Sequence, residues 1–171
     1  MPLSYAIYVG VFLSLALYLR HAGKLRAVEI IAREDGRFLE RELDEESLSR
    51  PLLVVQLSGD LFFGVADDLA DQLADVVRGG PAVVVLRLKR THLVDATVLE
   101  VLSRFVADMH AADRHVVVCG VRPVVMRPLQ GYGLVEQVGP DNVFASRPSL
   151  LESTRRAMEH GEELLAARPG A

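Results

Sequence analysis

Asp95 and Thr97 stand two residues apart, where the apolar run Val83–Leu88 gives way to a helical pattern. Asp is a strong N-cap, because its carboxylate accepts from the free amides of the first turn. Here the donors would be the amides of Thr97 or Val98. Thr97 then falls in the first turn, exposed at the positive end of the helix dipole. Free amides and the dipole favour an anion there, including a phosphate carried on Thr97 itself. The chemistry available is therefore a phosphorylation switch. The plainer reading of the same spacing is that Asp95 caps a helix and Thr97 fills its first turn.

His92 can be drawn into a cluster with Asp95 and Thr97, but nothing in the spacing orients a base on a nucleophile. His92, His110 and His115 lack a metal-ligand spacing such as H-E-x-x-H. Gly79-Gly80 and Gly131-Tyr132-Gly133 lack the lysine and the following helix start of a phosphate-binding loop. The expectation is a protein that is not an enzyme, with no catalytic residue, no metal and no cofactor.

The elements around this spot alternate. Ala27–Ala32 reads as a strand, Asp35-Gly36 as a hairpin signal, and Glu40–Ser49 as a polar, acidic surface loop. Leu52–Leu57 and Val83–Leu88 read as strands, the second apolar except for Arg87 and so covered on both faces. Between them Ala66–Arg78 repeats apolar residues at Leu69, Leu73, Val76 and Val77, with Asp67, Asp68, Asp71 and Asp75 opposite. A second helix runs from Asp95 to about Ala112. His115–Cys119 is another buried strand ended by Gly120, and Arg122–Leu129 a short helix with Pro123 in its first turn. Val135–Val138 reads as a minor strand. Ser149-Leu150-Leu151-Glu152 fits a capping box that opens the last helix. Strands alternating with helices imply right-handed crossovers and a mostly parallel sheet, to which the N-terminal hairpin adds a mixed edge.

Leu3–Leu19 has no Asp, Glu, Lys or Arg over 17 residues. As a helix it measures roughly 26 Å, near the thickness of a hydrocarbon core. Tyr5 and Tyr18 flank it, and Arg20, Lys24 and Arg26 follow it while no cation precedes it. That bias predicts a single-pass helix in the cell membrane, with the remainder in the cytoplasm and the three cations on anionic lipid. The basic residues lie on the wrong side of the run for a cleaved signal peptide. With 19 Lys and Arg against 23 Asp and Glu, the net charge of −4 argues against nucleic acid as a partner. The single cysteine, Cys119, excludes a disulfide framework and reads as a small buried apolar residue.

Asp95-Ala96-Thr97-Val98-Leu99 resembles the D-(S/A)-(S/T)-G-(L/I/V) signature of STAS domains, with Val98 where the signature usually has Gly. Such domains occur as anti-sigma factor antagonists and as cytoplasmic tails of SulP-family anion (sulfate) permeases. Gly59-Asp60-Leu61-Phe62-Phe63-Gly64-Val65-Ala66 is similar to the permease branch's entry to its first helix, and Cys119-Gly120-Val121-Arg122-Pro123 to a later motif. Val9–Arg26 resembles the last membrane helix of such a transporter and its basic exit. The resemblance implies a STAS-like α/β fold, a mixed, mostly parallel sheet flanked by helices and preceded by one transmembrane helix. It divides the chain into 1–26, membrane helix and basic exit; 27–51, first strands and acidic linker; 52–166, domain body; and 167–171, disordered tail. It implies a regulatory module tethered to a transporter's membrane core, with no transport by itself. Phe62, Phe63 and His92 are the candidate partner contacts, although Phe62 and Phe63 fit a core equally well. The alternative is an antagonist of an anti-sigma factor or switch kinase, with Thr97 as the phosphorylated residue.

Overall fold

The computed structural model describes residues 3–22, 26–32, 38–147 and 151–167. Leu3–Ala22 forms helix α1. Strands β1 (Arg26–Ala32) and β2 (Phe38–Glu42) follow, then a single helical turn α2 (Glu45–Leu48) and strand β3 (Leu52–Ser58). A 3-10 turn at Phe63–Val65 leads into α3 (Ala66–Gly79), then β4 (Val83–Arg90), α4 (Ala96–Ala111) and β5 (His115–Val121). Helices α5 (Pro123–Tyr132) and α6 (Leu134–Val138), strand β6 (Val143–Ala145) and helix α7 (Glu152–Ala166) complete the order. Among the described residues six strands make one sheet, ordered β2-β1-β3-β4-β5-β6. β1 is antiparallel to both β2 and β3, and β3 through β6 are parallel, so the sheet is mixed and mostly parallel as expected.

Strand alternation sorts the central side chains onto two faces. Leu53, Val55 and Leu57 of β3 join Val84, Leu86 and Leu88 of β4 and Val116 and Val118 of β5 on one face. The buried stripes of α3 (Leu69, Leu73, Val76) and α4 (Val98, Leu102, Phe105, Met109) cover it, with α5 and α6 alongside. Val54, Val83, Val85, Val117 and Cys119 point the other way, toward α7. That helix lies close because Gly161 meets the sheet: a Cβ there would stand 2.8 Å from Leu52 Cδ1. Burial in this layer pushes the Cys119 thiol up to about 12.

The stretch Glu40–Ser49 is not a surface loop. Its first residues complete β2, and Glu45–Leu48 is the turn α2, capped by Asp44, whose carboxylate accepts from the Ser47 amide at 2.8 Å. Its polarity reflects internal pairing. Glu29 of β1 is only 2% exposed, and its Oε2 accepts from Arg41 Nη2 at 3.0 Å and from the Ser47 hydroxyl at 2.6 Å. Arg50 approaches its other oxygen at 3.4 Å. The Ser47 amide and hydroxyl in turn hold the Asp44 carboxyl below its ordinary value.

Three smaller expectations also change. Val135–Val138 is helical: Leu134 and Val138 are buried four residues apart, and Gln137 clasps α4 by donating to the Ser103 carbonyl at 2.8 Å. β5 continues through Gly120 to Val121. Helix α7 starts at Glu152 with Leu151 at its cap and no side-chain capping bond, while Ser149 lies outside the described residues. The hairpin turn Asp35-Gly36, Lys24 and residues 168–171 of the tail lie outside them as well.

Among the described residues no helix is long and apolar enough to cross a membrane. What the fold contains is a 20-residue helix whose described side chains, Tyr5 to Leu17, are all exposed.

Glu29→Gln should lower stability by about 1–3 kcal/mol in urea titration, since it removes the charge that Arg41 and Arg50 pair with and turns one of the two acceptor oxygens into a donor. Cys119 should resist thiol-specific reagents in mildly alkaline buffer until the chain unfolds, and rapid labelling of native protein would contradict its placement.

Candidate functional site

The carboxyl ends of β3, β4 and β5 emerge side by side, and each is followed by the start of a helix. The loops after β3 and β4 are joined by their backbones. The Gly59 amide donates to the Arg90 carbonyl at 3.3 Å, the Leu61 amide to the Leu93 carbonyl at 2.9 Å, and the Asp95 amide to the Leu61 carbonyl at 3.0 Å. Leu61 and Val94 form a short parallel bridge, and both are buried. Beneath it the buried Thr91 hydroxyl donates to the Leu57 carbonyl at 3.3 Å.

Asp95 is held extended (φ −96°, ψ 173°) and caps α4 as expected, its Oδ1 accepting from the Val98 amide at 3.0 Å. It also does something the spacing could not show. Its Oδ2 accepts from the Phe63 amide at 2.5 Å, so one carboxylate ties the start of α4 to the turn that opens α3. Charge-assisted bonds from a carboxylate to backbone amides are about twice as strong as neutral ones. Val98, where the signature usually has Gly, is fully buried and packs into the main core.

The two phenylalanines divide. Phe62 turns inward and packs against the core, while Phe63 stands 73% exposed, edge-on to it with ring centroids 5.6 Å apart. Leu93 is also exposed, at 54%, as are His92 and, in the first turn of α4, Ala96 and Thr97. On the neighbouring strand, Gly120 has φ +70° and a Cβ there would stand 2.9 Å from Lys89 Cβ. Only a residue without a side chain lets β5 pass this close to β4 and deliver α5, whose exposed Val124 belongs to the same end of the sheet. Sequence reading missed Val124 as a surface residue, because an apolar residue beside a buried strand looks like core.

The result is a projecting apolar and polar surface on a rigid base, with a threonine exposed at a helix start. Among the described residues no group of three or more His, Cys, Asp and Glu could hold a metal ion. The arrangement suits the binding of a partner.

A family model described as the STAS domain matches residues 45–150. No curated protein matches the sequence. Among solved structures, a sulfate transporter family protein from Wolinella succinogenes is similar at 26% identity and TM-score 0.59, over 68% of this chain and 89% of that one. The murine Slc26a9 anion transporter, in its inward-facing state, matches in fold at 12% identity and TM-score 0.70, over 95% of this chain and 26% of its own. An anti-sigma factor antagonist from Mycobacterium paratuberculosis matches in fold at 17% identity and TM-score 0.53, over 80% of this chain and 96% of that one.

Asp95→Ala should cost about 2–3 kcal/mol in urea titration, since it removes both a cap and a second charge-assisted bond. Asp95→Asn should cost nearly as much, because its NH2 group would face one of the two amides. A loss near 1 kcal/mol, the value of a cap alone, would show that the Phe63 bond contributes nothing.

Proposed function

The chain belongs to the STAS domain family, and from that premise we propose that it is the regulatory and interaction module of a SulP-like sulfate (anion) transporter, held at the membrane by α1. The observation that carries this reading is α1 itself. Its side chains from Tyr5 to Leu17 are all exposed, Ile7 at 56% and Phe12 at 73% among them. A patch of that kind on a soluble monomer marks a surface that something else covers. Lipid tails and the other helices of a transporter core supply that cover. Transport itself belongs to that core and not to this module.

Similarity to the Wolinella succinogenes protein supports the transporter branch. The fold match to the murine transporter, over 95% of this chain, is too broad to leave out the 20 residues of α1. The cations that follow α1 in the sequence, Arg20, Lys24 and Arg26, suit anionic lipid on the cytoplasmic side, which is where this reading puts the domain. Phe63, Leu93 and His92 face the regulatory partner or the core. None of His92, Asp95 and Thr97 is assigned a catalytic role.

A second reading is favoured by one observation: Thr97 is exposed in the first turn of α4, at the position phosphorylated in antagonist-type STAS proteins, as the resemblance implies. On this reading a kinase adds the phosphate, which the dipole of α4 stabilises, and the module releases its partner.

Alkaline-carbonate extraction of the full chain should leave it in the membrane pellet, and Phe12→Lys with Leu13→Lys should move it to the supernatant with an unchanged circular dichroism spectrum. Both substitutions lie at exposed positions, so the fold is spared. Wild type in the supernatant would remove the transporter reading and advance the antagonist one. Thr97→Glu and Phe63→Ala should each change stability by no more than about 0.5 kcal/mol while weakening capture of the partner. Capture equal to wild type by both variants would count against this surface.

A further inference from the structure

Arg87 interrupts the apolar run of β4, and its side chain is 93% buried, at 7% relative exposure. It points to the α7 face of the sheet. There its Nε donates to Thr154 Oγ1 at 2.8 Å and its Nη1 donates to Gln56 Oε1. Thr154 and Gln56 are neutral and fully buried, and each takes one of the five N–H groups a guanidinium carries. Among the described residues no carboxylate forms an ion pair with Arg87. Burial accordingly lowers its pKa from the ordinary value. A buried charge whose hydrogen bonds go to neutral groups is costly, and an anion placed beside it offsets that cost.

The guanidinium opens onto a cavity of about 240 Å³ bounded by Ile30, Phe38, Glu40, Arg87, Arg90 and Leu151. It lies on the opposite face of the sheet from α3 and α4. Three of its walls are apolar, and a second guanidinium stands at the rim. Arg90 pairs with Glu40 at 2.8 Å, and the same carboxylate oxygen lies 3.4 Å from Gln56 Nε2. Both rim groups are largely in solvent, Arg90 58% and Glu40 45% exposed, so separating them costs little. Glu40 thus places a carboxylate at the mouth of the cavity but not on Arg87.

We infer that this cavity binds a small organic monocarboxylate. Its carboxylate lies between Arg87 and Arg90 in place of Glu40, and its short apolar tail rests on Ile30, Phe38 and Leu151. A planar guanidinium fork matches a carboxylate in geometry. The apolar walls distinguish this ligand from an inorganic oxyanion, which would gain nothing from them.

The test titrates the full chain, in detergent, with acetate, butyrate, hexanoate and sulfate as sodium salts at constant ionic strength. Binding is read from the Arg87 Nε–Hε resonance in NMR and from thermal shift. The expected result is saturable binding that tightens about fourfold for each methylene placed on the apolar wall, so that hexanoate outranks acetate and sulfate. Arg87→Gln removes a buried partner and can fail to fold, so the rim variants carry the decision. Glu40→Gln should bind hexanoate more tightly than wild type, and Arg90→Gln about fivefold more weakly. A response that follows ionic strength alone, or hexanoate affinities equal in all three proteins, would overturn the inference. Saturable sulfate binding as tight as that of hexanoate would overturn the assignment of the ligand.

Discussion

Three adjacent strands with no polar face set the terms for everything else in this molecule. β3, β4 and β5 are buried on both sides, so the sheet exists only if both sides are covered. One side is closed by the stripes of α3 and α4 with α5 and α6 beside them. Among the described residues the other is closed chiefly by α7, which reaches the strands through Ala157 and Gly161. Where that helix starts, at the Leu151 cap, the β1 and β2 side of the sheet opens into the cavity beside Arg87. The cavity is thus a consequence of unequal cover on the two faces.

Polar groups inside such a sheet must find partners within it. Two clusters do this differently. Glu29 gathers Arg41, Arg50 and Ser47 and fastens the β1–β2 hairpin to α2, with charge balanced against charge. Arg87 gathers Gln56 and Thr154 by hydrogen bonds, and among the described residues it forms no ion pair with a carboxylate. The first arrangement is closed, and the second is open to an anion.

The long elements could be read from the sequence because their periods are sustained. The buried positions of α3 and α4 recur at helical spacing, and the central strands are unbroken apolar runs. The short elements could not. Glu40–Ser49 looks like an acidic linker because Arg41 and Ser47 are seen without Glu29, their partner on another strand. Val135–Val138 is too brief for alternation and helical spacing to be told apart. At the site, the cap by Asp95 is a local matter of three residues and was readable. Its bond to Phe63 spans 32 residues and depends on β3 and β4 being neighbours, which no local pattern records. Arg87 appeared only as a break in a strand, since its meaning lies in Gln56 and Thr154.

The double engagement of Asp95 makes the loops after β3 and β4 one mechanical unit. Any displacement of the Phe63 turn draws on the same carboxylate that holds the first turn of α4, so a distortion of either loop is felt by the other. If two binding equilibria act at these loops, linkage makes the coupling free energy between them reciprocal. The route for such coupling runs through one side chain and leaves the sheet untouched.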